Sequence, residues 1–382
     1  MRLEIDSGGY DSAAEALTGA NQMVAGAYSA LTSKLGGYGG MGGDDRSSEE
    51  FVANYDSAAA EVVGGIADLG TAFGTLGTVT AASGNNHRDA NAGSVYGGPG
   101  SSSGSDSAPG GEPEQLSAYT PPSSLGADSS DTPEFWDLIV DHLQGWAWPS
   151  ADTGRLREAA GAWRTMADQL DRTPSYCQTA ASQLGNQRSP EIAMATSAVR
   201  EVEQAGGDLA TECRSLADAC DEYAEKVDTT KDVVIGLLKD LAIEIGATAV
   251  VSGLASLVTF GGAAVVGAGV ATARAISCAR RIIATLAAIR AIRAVATMAR
   301  SIAKVTRVRS TLARFRSARA LRSRPTGKLP PKGKRNSYGY NTKGDRLPYT
   351  NTRPSYGDKQ VDDVWRRAQD QNGDVWVRNK DG

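Results

Sequence analysis

The chain has 382 residues, enough for two or three domains. Its 44 glycines, 5 phenylalanines and an apolar content made largely of Ala and Val suit closely packed helices and argue against large twisted sheets. Cys177, Cys213, Cys220 and Cys278 are too few and too scattered for a disulfide scaffold, and His87 and His142 lie too far apart for metal-ligand spacing.

A net charge of -4 conceals a strong polarity. From Ile245 to Gly344 there are 19 Lys/Arg and no Asp/Glu, whereas the first 244 residues carry 14 basic and 37 acidic residues. An acidic front and a basic rear can meet within one chain, or the rear can seek an anionic partner. The first residues, MRLEIDSGGYDSAAE, place Glu4, Asp6 and Asp11 where a secretory signal needs an apolar run, so export is expected to proceed without one.

In chain order, Leu17, Ala20, Val24, Tyr28, Leu31 and Leu35 recur at steps of three and four and predict one helical face. GGYGGMGGDD, with Gly39 and Gly40 at its centre, interrupts it; Ser47, Ser48, Glu49 and Glu50 then open a second helix. Its face runs Phe51, Tyr55, Ala58, Val62, Ile66, Leu69, Phe73 and Leu76. The pair reads as an antiparallel hairpin over 1–92, which has one seam and needs a second hairpin or another chain to cover it. Residues 93–132 are Gly, Ser and Pro-rich and read as a flexible linker.

A second helical module is predicted over 133–244. It opens on a tryptophan cluster, Trp136, Trp146 and Trp148, followed by Pro149. Leu156, Ala160, Trp163, Ala167 and Leu170 share one face, with Trp163 expected as a large core residue at a helix crossing. After a break at Asn186–Pro190, Val202, Ala205, Leu209, Cys213, Leu216, Cys220, Tyr223 and Val227 form a long seam close to heptad spacing. Cys213 and Cys220 therefore read as core residues, and a bridge from Cys177 to one of them is the lesser alternative.

Residues 245–273 contain no charge and exceed the roughly 20 residues that span a bilayer. Membrane engagement and a buried hairpin stand there as equal alternatives. Arg274 to Arg324 reads as a basic amphipathic helix able to lie on an anionic membrane, pack on acidic helices or touch phosphates. Residues 325–382 comprise a Pro/Lys-rich linker and a short tail. No catalytic, metal or cofactor-binding constellation emerges: His87 in SGNNHRD suits a helix end, and His142 a packing position.

Three segments carry family resemblances. GGYGGMGGDD and EEFVANYDSAAAE resemble the WXG/ESX-type substrates of type VII secretion, although the turn has no Trp and none of the 12 tyrosines has Asp or Glu four residues on. WAWPSADTGRLREAAGAWRTMADQL, with Trp148, Pro149, Asp152, Leu156 and Trp163, together with the later CDEYAEKVDTTKDVV around Tyr223, resembles the CpnT-type N-terminal domain of actinobacterial toxins. The tail residues Arg353, Pro354, Tyr356, Gly357, Val361 and Trp365 resemble the start of GH-E toxins, nucleases of the HNH/endonuclease VII group. That family implies a Gly-His pair, a Glu and a divalent metal. No histidine follows His142, so the tail is expected to be an incomplete, inactive nuclease.

Together these readings imply a mainly α chain: two long-helix hairpins, an apolar segment, a basic helix and a short unfinished α+β tail. The implied role is the delivery portion of a type VII-exported toxin. Its implied partners are the secretion machinery, a small helical hairpin or a second copy, and, for a complete nuclease, an immunity protein and nucleic acid. The alternative is a membrane-active protein acting through 245–324.

Overall fold

The computed structural model describes residues 6–94, 109–127, 132–251 and 267–317, which are helical with extended connections and no strand. The apolar residues 252–266 and the whole tail from 318, with its expected α+β character, lie outside the described residues.

Helix α1 (Ser7–Leu35) starts at Asp6, whose carboxylate accepts the Gly8 N–H at 3.0 Å. After the glycine turn, α2 (Glu49–Ser94) begins with the acidic pair Glu49 and Glu50, favourable at a helix N-terminus. Two short 3-10 turns, Trp136–Leu138 and Val140–His142, precede α3 (Thr153–Leu170), capped by Asp152 onto the Arg155 N–H. Pro174 sits in the first turn of α4 (Thr173–Gly185), where its missing N–H costs nothing. Helix α5 (Ile192–Val251) is 60 residues, about 90 Å long. The stretch read as one basic helix is two, α6 (Gly267–Arg290) and α7 (Arg293–Ala313), broken at Ala291–Ile292 and ended by a 3-10 turn at Arg314–Ser317.

The two hairpins share one core. The α1 seam (Leu17, Ala20, Val24, Leu31) and the α2 seam (Val62, Ile66, Leu69, Phe73) are fully buried in a cluster that also holds Trp163, Leu209, Leu216 and Val305. The seam residues expected to await a partner are thus covered within the chain itself, by α3–α5 and α7.

Within the segment read as a flexible linker, residues 109–127 are docked along the first hairpin. The side chain of Asn21, fully buried, reads the backbone of Glu114 from both sides: it donates to the carbonyl at 3.1 Å and accepts the N–H at 2.7 Å. Tyr28 donates to the Ser117 carbonyl, and Asp56 accepts from the Ser123 hydroxyl and the Ser124 N–H. This strap returns the chain from the far end of α2 to the glycine turn, so that α3 starts beside it: the Asp152 N–H donates to the Met41 carbonyl at 3.0 Å.

Candidate functional site

The two hairpins are joined by an aromatic junction. Tyr55 of α2, Trp163 of α3 and Tyr223 of α5 converge, although the sequence scatters them over 168 positions. The indole Nε1–H of Trp163 donates to the Tyr55 hydroxyl at 3.0 Å in a fully buried pair. Tyr223 stacks on Phe51 with centroids 3.8 Å apart, and its hydroxyl donates to the Gly42 carbonyl at 2.9 Å. Burial pushes both phenols well above their ordinary range, so they stay neutral donors. Tyr223→Phe leaves the Gly42 carbonyl without its buried donor, and a loss of about 1–3 kcal/mol is expected in urea unfolding.

The glycine turn is built into the same junction. Gly43 has φ +93°, and a Cβ there would stand 3.0 Å from the Ser150 hydroxyl and the Ala151 nitrogen. Only glycine lets the turn approach the start of α3 this closely. Buried Asp45 fastens the contact by accepting the Ser47 and Ser150 N–H groups at 2.8 and 2.9 Å. Gly40 donates its N–H to the Ser123 carbonyl, and Gly39 lies against Pro122. Trp148 packs edge-on to Trp136 at 5.7 Å, with Pro149 buried beside it. Thus Gly39, Gly40, Tyr55, Trp148, Pro149, Trp163 and Tyr223 all lie in or beside the contact between the turn and the second hairpin.

A second feature is an acidic groove between α2 and α5 that receives the basic rear. Helices α6 and α7 run end to end, antiparallel to α5: Arg274 lies by Glu244, Cys278 by Leu237, Lys304 by Asp208 and Glu212, and Arg314 by Glu201. On the α2 side Arg290 pairs with Glu49 and Glu50, and Arg309 with Glu61 and Asp68, each at 3.0 Å; Arg316 also pairs with Asp68. Asp68 and Glu212 are 7% and 5% exposed, so they need these cations and the Ser301 hydroxyl, which donates to Glu212. Gly65 makes the notch: a Cβ there would sit 2.8 Å from Leu209 and 3.3 Å from Val305. Of the readings open to the basic stretch, packing on acidic helices is therefore met by its inner face.

Two helical stretches among the described residues, Glu49–Arg88 and Thr272–Arg316, are long and apolar enough to cross a membrane by length and composition. In the first, 78% of the most apolar window is buried, which makes it a core helix; in the second only 33% is.

A third cluster ties the far ends of α1 and α2 to the α4–α5 turn. Glu191 accepts from Tyr10 at 2.8 Å and from His87 Nε2 at 2.6 Å on one oxygen, and from Ser189 on the other. His87 is thus a partly buried partner of Glu191, a role its sequence neighbours did not signal. The order excludes a Ser-His-acid relay, because the carboxylate lies between the serine and the imidazole. Burial alone would raise Glu191, but the hydrogen bonds from His87, Ser189 and Tyr10 outweigh it and hold the carboxyl down at about 2, from an ordinary 4.5. A depressed acid stabilises the fold fully above about 4.5 and loses that contribution as pH falls towards about 2. Glu191→Gln is expected to be less stable than the parent by about 2–3 kcal/mol at neutral pH, with the gap closing across that window in pH-dependent urea melts.

All four cysteines are free and buried, and burial raises each thiol, Cys177 to about 12. They are packing groups rather than nucleophiles. Among the described residues no three His, Cys, Asp or Glu side chains come together as a metal site. The tail residues Arg353, Pro354, Tyr356, Gly357, Val361 and Trp365 lie outside the described residues.

The family described as WXG100 like domain matches residues 121–282, which covers the second hairpin and most of α6 and leaves residues 1–92 outside. The outer membrane channel protein CpnT of Mycobacterium tuberculosis, and its counterpart in Mycobacterium bovis, are 29% identical over 242 residues, 62% of this chain and 27% of theirs. A putative NAD(+)--arginine ADP-ribosyltransferase, Mav, of Mycobacterium avium is 31% identical over 163 residues, 43% of this chain and 19% of its own length. The chain therefore spans about a quarter or less of the curated relatives it matches. No solved structure matches. With the junction and the acidic groove in place, residues 121–282 match a WXG100-like domain in a helical setting, and the chain is similar in part to these mycobacterial proteins.

Proposed function

We propose that the helical part of this chain is the delivery portion of a toxin exported by a type VII-like system, with residues 353–382 beginning a GH-E nuclease domain. The observation that carries the delivery role is the pattern of the matches. The chain matches small parts of two kinds of protein whose names describe unlike activities, a channel and an ADP-ribosyltransferase. Partial likeness to proteins of such different activity suits carriage better than chemistry, and the described residues hold a packed helical core. The secretion machinery is the primary partner on this reading. A small helical hairpin or a second copy would dock on the outer faces, since the seams are already filled. An immunity protein, nucleic acid and a divalent metal go with a complete nuclease domain.

Export tests the reading. The tagged chain is expressed in an actinobacterial host with a working type VII system and in a strain lacking its motor ATPase. Appearance in the culture filtrate of the first alone is expected; equal export from both overturns the proposal. A second reading, action at an anionic membrane through residues 245–324, is favoured by the arginines that α6 and α7 turn outward.

A further inference from the structure

The cations of α6 and α7 divide into two sets. Arg274, Arg290, Lys304 and Arg309, with Arg314 and Arg316 of the 3-10 turn that follows, face acids of α2 and α5. Arg280, Arg281, Arg293, Arg300 and Arg307 are exposed; on α7, Arg300 and Arg307 stand four and three residues from Lys304, so their row runs along the solvent edge of the α5 contact. Arg293, Arg300 and Arg307 recur every seven residues, so they form a nearly straight stripe with a rise of about 10.5 Å per step. Arg280 and Arg281 add two exposed cations on α6, beyond the break at Ala291–Ile292. Acids of α5 border the row: Glu222 accepts the Arg293 N–H at the start of α7, and Asp208 and Glu212 hold Lys304 between Arg300 and Arg307. Arg300 lies along its own helix, donating to the Ala296 carbonyl and the Thr297 hydroxyl. Between the arginines the outward positions are small and apolar, Ala284, Ala288, Ala296, Ala299 and Ala303, all exposed.

We infer that this outer ridge is a docking surface for an anionic lipid bilayer, used with α7 still seated in its groove. The inference deepens the membrane reading and rests on it. The apolar face of α7, with Met298, Val305, Val308 and Leu312, is buried in the protein, so it has nothing left to insert. What remains is a straight row of long-stemmed cations over small apolar residues, which can lie flat on headgroups and hold them electrostatically. Nucleic acid is the poorer fit. The described ridge offers no exposed aromatic on which a base can stack, as Phe315 is buried. Binding is therefore peripheral, reversible and sensitive to salt.

The test is sedimentation of the full chain with vesicles of phosphatidylcholine alone and with vesicles holding about one third phosphatidylglycerol, at low and high salt. Binding to the anionic vesicles only, weakened by salt, is expected. The triple variant R293Q/R300Q/R307Q should lose on the order of a hundredfold in affinity, and R293K/R300K/R307K should keep it within a few fold. Because these side chains are exposed, both variants should keep the parent's circular dichroism and Tm. Unchanged binding by the glutamine variant overturns the ridge while leaving the membrane reading standing. Absence of binding to any vesicle overturns both. Equal binding to neutral vesicles, or loss of vesicle binding to a small excess of duplex DNA, overturns the proposal in favour of insertion or of a nucleic-acid surface.

Discussion

Trp163→Ala, at the largest fully buried side chain among the described residues, is expected to destabilise the fold by about 3–5 kcal/mol. The indole is fully buried at the crossing of α3 with α2. A ring of that size removes about 150–250 Å² from water, worth roughly 4–6 kcal/mol at 25 cal/mol per Å². Truncation also takes the donor from the Tyr55 hydroxyl, in a place where water cannot replace it. Trp163→Phe separates the two contributions: most of the area stays, the hydrogen bond goes, and about 1–2 kcal/mol is the expected loss. Urea unfolding measures both. A domain of ordinary stability holds only about 5–15 kcal/mol, so the alanine variant should lie near the edge of folding at physiological temperature. A loss below about 1 kcal/mol would show that the hairpins are held together elsewhere.

The second large effect is expected at the groove. Lys304→Ala/Arg309→Ala should cost about 2–4 kcal/mol, less than a fully buried network would, because both cations remain about a third or more exposed and are screened by solvent. The weight of the effect falls on Asp68 and Glu212, which stay nearly buried after losing a cation: Asp68 keeps Arg316, and Glu212 keeps only the Ser301 hydroxyl. The damage should be local. Amide exchange along α7 is expected to rise well before that of α1 and α3, since α7 is a single added helix on a core that the two hairpins build between them. Uniform acceleration across all helices would instead make α7 an inseparable part of the core. Added salt should narrow the difference between parent and variant, through the exposed part of the pairing.

Much of the helical layout was legible residue by residue. The faces of α1, α2 and α5 follow from apolar positions at steps of three and four, and such steps fall on one side of a helix whatever surrounds it. The turn at Gly39–Gly40 and the start of α2 at Glu49 were equally local, as was the placing of Trp163 in a core. The partners of these residues were not. Nothing near Tyr55 announces an indole 108 positions on, and nothing in SGNNHRD announces Glu191. The strap from 109 to 127 has the composition of a free linker. Its docking depends on Asn21 and Asp56, which lie on helices far away in the chain.

The basic rear shows the division most plainly. By itself the sequence determined that the front is acidic, that 245–344 holds no acid, and that the cations from Arg274 onward alternate with apolar residues at helical spacing. Each is a property of neighbouring residues and of backbone geometry. The sequence left the counter-charge open, because carboxylates, headgroups and phosphates attract arginine alike at any distance the chain allows. Only the tertiary structure decided it, by bringing Asp68 and Glu212 within bonding range of the basic rear and leaving Arg293, Arg300 and Arg307 exposed. Charge attraction is long-ranged and indifferent to partner, whereas burial and a glycine notch are specific to one surface.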